Sequence, residues 1–136
     1  MRASTTWTEE ERFIGVSDSG HALVVDASEC KVASSPLELV LIGLCGCTAS
    51  DVVSILRKKR EPFTSVDVTA EAERAEDIPR VFTAIKLTYT VRGKVSRKGV
   101  ADAVHLSESK YCSVGQMLSK AARITTEIVL PDLENE

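Results

Sequence analysis

Every residue from Leu39 to Ser50 is uncharged, while charged residues crowd both flanks of that run. The surrounding stretch, Ser35 to Arg60, reads as one long helix. Ser35, Pro36 and Glu38 supply a capping serine, a proline at the first helical position and an acid placed to close a capping box. Arg57, Lys58, Lys59 and Arg60 crowd the far end, where the helix dipole favours cations, and Pro62 stops further extension. About 24 residues would span roughly 36 Å. The uncharged half predicts burial on every face, yet at about 12 residues it falls short of the ~20 that a bilayer crossing needs. Gly43, Gly46 and Ser50 recur along it at steps of three and four, leaving a shallow groove where another backbone can approach.

Shorter periods flank the helix. Thr5 to Thr8 and Phe13 to Val16 read as short strands, Ser17 to Gly20 as a turn, and Ala22 to Asp26 as the returning strand. Beyond the helix, Val66, Val68 and Ala70 alternate with polar residues, and Ile85, Leu87, Tyr89 and Val91 do so more strongly. Each predicts a strand with one face buried and one wet. The polar connection around Pro79 suits a hairpin loop, and Gly93 closes the pair. Helical spacing returns from Ser96 to Ser109, with Val100, Ala101 and Val104 on one side. Ser113 and Gln116 then make an S-x-x-Q capping box ahead of a stripe at Val114, Met117, Leu118 and Ala121. Ile124 to Leu130 reads as a last strand and Pro131 to Glu136 as an acidic tail.

Hairpins segregated from helices predict an α+β fold, not a parallel α/β sheet. At 136 residues the chain is read as a single domain, 1–136, large enough for a core without metal or disulfide staples. A helix apolar on all faces needs more cover than two hairpins supply, so a two-fold dimer is its natural completion. The net charge of −3 argues against a nucleic-acid or anionic-membrane surface. Aromatic content of 4% leaves few platforms for stacking bases. The amino terminus, MRASTTWTEEER, lacks the apolar core of a signal peptide, which predicts a cytoplasmic protein.

In a reducing cytosol four cysteines, Cys30, Cys45, Cys47 and Cys112, are core filler, metal ligands or redox groups rather than a disulfide framework. Cys30 falls in a polar loop. Cys45 and Cys47 form a C-x-C, but on a helix they point about 200° apart and cannot share a ligand. His21 and His105 lie in segments without zinc spacing. Cys112 precedes a helix start, where backbone N–H groups and the dipole would lower a thiol pKa. Cys47 has no such local help and would need a cation from elsewhere in the fold.

The run S-P-L-E-L-x-L-x-G-x-C-G-C-T-A-S-D-V-V, joined late in the chain by K-Y-C-S-V-G, resembles the OsmC/Ohr family of thiol-dependent peroxidases, and most closely its OsmC-like branch. The resemblance covers roughly residues 5 to 130. It implies an OsmC-like fold: antiparallel β-hairpins wrapped around a long central helix, in an intertwined homodimer. It also implies a chemistry. Cys47 matches the peroxidatic cysteine, whose thiolate attacks the O–O bond of an organic hydroperoxide or of hydrogen peroxide and becomes a sulfenic acid. Cys112 matches the resolving cysteine, which closes a disulfide that an external dithiol, lipoyl-type reductant reopens. No metal, flavin or haem is implied.

The family also places an arginine from the amino-terminal sheet beside the thiolate, and Arg12 matches it. A guanidinium suits the task because it stays charged when partly buried. The chain departs from the pattern at the acid. Where the hydroperoxide-resistance branch has a glutamate directly after the proline, this chain has Leu37, and Glu38 comes one step later. That step turns a helical side chain by about 100°. Glu38 is therefore a candidate both for the Arg12 partner and for the helix cap. The competing expectation is an OsmC-like dimer with weak catalysis that binds a small hydrophobic or thiol-reactive ligand.

Overall fold

A computed structural model describes residues 1–134. Asn135 and Glu136, the end of the expected acidic tail, lie outside the described residues. The elements run β1 (Ala3–Glu9), β2 (Arg12–Ser17), β3 (Ala22–Asp26), α1 (Pro36–Lys58), β4 (Phe63–Arg74), β5 (Phe82–Gly93), α2 (Arg97–Leu106), α3 (Ser113–Leu118), β6 (Arg123–Val129) and α4 (Pro131–Glu134). A π-helical turn, Ser107–Tyr111, joins α2 to the Cys112 segment. The architecture is α+β, as the segregated periodicities require. The chain forms two compact units, divided between Leu41 and Ile42 inside α1.

The first unit holds the antiparallel sheet β1-β2-β3. Its register sets Arg12 opposite Asp26 and Phe13 opposite Val25. Asp26 is fully buried at the end of β3. Its carboxylate accepts from the Ser28 N–H and hydroxyl and from the Val32 N–H, which pins the loop after the strand. The capping box is present: Glu38 N–H donates to Ser35 Oγ at 3.2 Å, and Ser35 N–H donates to Glu38 Oε1 at 3.0 Å.

The second unit holds the sheet β4-β5-β6. β4 and β5 pair antiparallel along their length, whereas β6 runs parallel to β5. This sheet is mixed, where antiparallel hairpins were expected, because a parallel return needs a crossover and the α2–α3 segment provides it. The wet-dry alternation is borne out on β5, whose Ile85, Leu87, Tyr89 and Val91 are all buried. Gly93 ends β5 at φ +108, where a Cβ would run into the Pro62 carbonyl, so only glycine closes this strand without strain.

Two expectations are corrected. The uncharged half of α1 is not buried all round within one chain. Its buried residues, Leu44, Thr48, Val52 and Leu56, form a single stripe at steps of four, while Ile42, Gly43, Gly46 and Ser50 are exposed. By length and composition the helix would pass for a membrane span; its stripe, tied to β5 through a 2.7 Å hydrogen bond between Thr48 and Tyr89, makes it a core helix. The S-x-x-Q capping box also fails. Cys112, not Ser113, caps α3, and its sulfur accepts from the Gly115 N–H. The Gln116 side chain donates instead to the Glu108 carbonyl. The helix stops at Leu118, so Ala121 joins no stripe, and Met117 is exposed.

Candidate functional site: a neighbouring cysteine pair

Cys47 and Cys112 meet in the second unit, close enough that each thiol shifts the pKa of the other. Each is delivered by a different local device. Cys47 stands mid-helix on α1, half-buried, one step before the buried Thr48. Cys112 is delivered by the π-helical turn, whose wider ring closes with the Cys112 N–H donating to the Ser107 carbonyl at 2.8 Å. Such turns insert one residue into a helix and re-aim the residues beyond it. The backbone then becomes extended at Cys112, and its side chain is buried at 2% exposure.

The first turn of α3 divides its free N–H groups between the two sulfurs. Gly115 N–H donates to Cys112 Sγ at 3.2 Å, and Val114 N–H serves Cys47. Ser113 Oγ lies 4.0 Å from Cys47 Sγ. A Cβ at Gly115 would sit 3.2 Å from the Cys112 sulfur, so a side chain here would press on the thiol.

The consequences for the two thiols are opposite. Burial pushes Cys47 up and Asp51 adds to it, but the Val114 N–H, the Cys112 thiol and the Ser113 hydroxyl together hold it below its ordinary value. Burial, with Cys47 behind it, pushes Cys112 up to about 11. The sequence expectation is thereby reversed. The helix start was assigned to lowering Cys112, yet its help reaches Cys47, and Cys112 stays protonated. Within the second unit the help for Cys47 comes from neutral donors. Cys45, on another face of α1, is pushed up by burial, and Cys30 is exposed.

Behind Cys112 lies a cavity of about 160 Å³ lined by Leu44, Leu87, Ile124, Tyr89 and Glu108. Beside it runs a buried polar chain that sequence reading missed. Ser107 Oγ donates to Asp51 Oδ2 at 2.9 Å, and Thr48 Oγ1 lies 2.8 Å from Ser107 Oγ and 2.7 Å from Tyr89 OH. The only signal for it was a threonine in the otherwise dry run of α1, where a hydroxyl must find a partner.

Arg12 and Glu38, the other two candidates, lie in the first unit. Arg12 Nε donates to Asp26 Oδ2 at 3.2 Å, and its Nη1 to Glu9 Oε1 at 3.2 Å; Glu10 lies 3.9 Å away. Asp26, which the sequence did not single out, is thus the buried carboxylate that orders Arg12. Hydrogen bonds from Ser28 and Val32, with Arg12 behind them, hold Asp26 well below the usual carboxylate range. Glu38 is fixed by Ser35, and those bonds lower its pKa. Its position supports the cap.

Comparison with known proteins agrees with this architecture. Residues 28–127 match the profile of a family described as OsmC-like protein. The chain is 45% identical over 126 residues to Protein YhfA of Escherichia coli strain K12, covering 92% of this chain and 94% of that protein. Its fold superposes on a hypothetical protein from Aquifex aeolicus at a TM-score of 0.83 with 27% identity, covering 95% of this chain and 96% of the other. An organic hydroperoxide resistance protein from Elizabethkingia anophelis matches at a TM-score of 0.73 and 15% identity over 94% of each chain, a likeness of fold.

Proposed function

The chain belongs to the OsmC-like protein family, and from that premise we propose that it is a thiol-dependent hydroperoxide reductase working through Cys47 and Cys112. The observation that carries the reading is the adjacent pair of thiols with opposed pKa shifts, Cys47 lowered and Cys112 raised. A peroxidatic cysteine must be the nucleophile, and a resolving cysteine must wait protonated until the first is oxidised.

The Cys47 thiolate attacks the terminal oxygen of the hydroperoxide. An S–O bond forms, the O–O bond breaks, and the alkoxide leaves and takes up a proton as alcohol. Cys47 is now a sulfenic acid. The Cys112 sulfur attacks it, forming the S–S bond and expelling the oxygen as water. An external dithiol of lipoyl type returns the two electrons by exchange through a mixed disulfide. We assign Arg12, held by Asp26 and Glu9, to steadying the thiolate, and Glu38 to the helix cap. The cavity carries Leu44, Leu87 and Ile124 among its lining residues, and that aliphatic surface favours an organic hydroperoxide over hydrogen peroxide.

We also read the working form as a homodimer, with the exposed strip of Ile42, Gly43, Gly46 and Ser50 covered by a second copy, and the setting as cytoplasmic. Stopped-flow reaction of the reduced protein with cumene hydroperoxide, then mass spectrometry of the product, tests the activity. Fast stoichiometric oxidation, a Cys47–Cys112 disulfide, and loss of both in Cys47→Ser are expected. Rates no faster than those of free cysteine would remove the peroxidase and favour the ligand-binding dimer.

A further inference from the structure

Counting protons along the buried polar chain fixes the state of its last member. Ser107 has one hydroxyl proton and donates it to Asp51. In the Ser107–Thr48 bond the donor must therefore be Thr48. In the Thr48–Tyr89 bond the donor must then be Tyr89. Nothing is left for Tyr89 to donate onward, so toward Glu108, which lines the same cavity, its oxygen can only accept. A charged Glu108 would meet those lone pairs with its own; a neutral one carries the proton they can accept. Burial, the first cause, raises the Glu108 pKa; His105 and Thr126 oppose it from α2 and β6, and Tyr89 on β5 would oppose it only with its hydroxyl turned away from Thr48. Its Oε1 is buried with no hydrogen-bond partner among the described residues. Glu108 and Cys112 line the same cavity, while Asp51, one turn along α1 from Cys47, lies within electrostatic reach of both sulfurs.

We propose that Glu108 and Asp51 are the two ends of a proton relay, running through Tyr89, Thr48 and Ser107, that serves the attack of Cys112 on oxidised Cys47. The inference rests on the peroxidase reading for its physiological oxidant. Glu108 passes its proton to Tyr89, Tyr89 to Thr48, Thr48 to Ser107, and Ser107 to Asp51. The Glu108 carboxylate so formed takes the proton of the Cys112 thiol across the cavity. The Cys112 sulfur forms the S–S bond as the S–O bond of the sulfenic acid breaks, and Asp51 protonates the departing hydroxide to water. One proton has crossed, both carboxyls regain their starting states, and the hydroxyls rotate back. The relay answers a need set by the pair itself: a resolving thiol that stays protonated at neutral pH needs a base at the moment of attack.

The test needs no peroxide. In a Cys30→Ser, Cys45→Ser background, dithiobis(nitrobenzoate) loads Cys47 as a mixed disulfide with release of one nitrothiobenzoate. Attack by Cys112 releases the second, and that aryl thiolate needs no proton, so the second phase times the deprotonation of Cys112. Glu108→Gln and Tyr89→Phe should each slow it by about tenfold or more, general acid–base assistance being worth ~10²–10⁴. The deficit should close as pH climbs toward the Cys112 value of about 11, where hydroxide takes over. A second phase as fast in Glu108→Gln as in the parent overturns the relay, as does a slowing equal at every pH, or no second phase in the parent. Should Glu108→Gln fail to fold, Tyr89→Phe alone decides. A second phase that depends on Glu108 in a protein that consumes peroxide slowly would keep the relay and remove the peroxidase.

Discussion

Val114 and Gly115, adjacent in the first turn of α3, direct their N–H groups at different sulfurs, Val114 at Cys47 and Gly115 at Cys112. One helix start thus serves two thiols, and burial decides which of them ionises. Cys112, at 2% exposure, loses more water than its single N–H bond replaces. Cys47 keeps part of its hydration and gains three donors.

The two thiols should accordingly separate in an alkylation profile. Iodoacetamide at mildly alkaline pH should label Cys47 well before Cys112, whose labelling should rise only toward pH about 11. Cys112→Val should raise the pH at which Cys47 reacts, since it removes one of the groups that favour the thiolate. Peptide mass spectrometry across pH reads both, and equal labelling of the two cysteines at neutral pH would contradict the assignment.

Thr48 is the middle of the buried hydroxyl chain. Thr48→Val keeps the volume but removes the acceptor of the buried Tyr89 hydroxyl, while Ser107 keeps its bond to Asp51. The expected cost is ~1–3 kcal/mol, read as a lower urea midpoint with an unchanged slope. A variant as stable as the parent would show that water or a rotated hydroxyl replaces the bond.

Asp26 should show its linkage in acid. Its native pKa lies below that of the unfolded chain, so the unfolded state binds more protons as pH falls through the carboxylate range, and stability is lost in that direction. Asp26→Asn should melt several degrees lower than the parent at neutral pH. The gap should narrow progressively below pH ~4, the ordinary aspartate value. A gap constant across pH would assign the effect to packing.

The exposed strip of α1 predicts association. A Cβ at Gly46 meets nothing within 4 Å in the chain itself, so in a monomer Gly46→Ala should stabilise the helix by ~1 kcal/mol. If a second copy covers the strip, the same change should destabilise, and Gly46→Glu should convert a dimer to a folded monomer in sedimentation velocity. Stabilisation by alanine, with a parent that sediments as a monomer, would remove the dimer.

Much of the chain was legible because the interactions concerned are local. The helix over residues 36–58 announces itself through a serine, a proline and a glutamate within four positions and a basic end. The strand β5 announces itself through strict alternation of Ile85, Leu87, Tyr89 and Val91. The pairing of Cys47 with Cys112 came from the resemblance of two motifs, not from periodicity.

Only the tertiary structure decided which face of α1 is buried, because a run without charge carries no moment to choose one. It alone turned the Cys112 sulfur into a helix cap, since that depends on a π-helical turn with no sequence rule behind it. It paired Arg12 with Asp26 across fourteen residues and built the Asp51–Ser107–Thr48–Tyr89 chain from bonds spanning 41, 56 and 59 residues. The sequence by itself determined the elements and the two reactive residue types. Which thiol is poised to ionise was left to burial and to the aim of two neighbouring N–H groups, because desolvation and donor geometry exist only once distant segments have met.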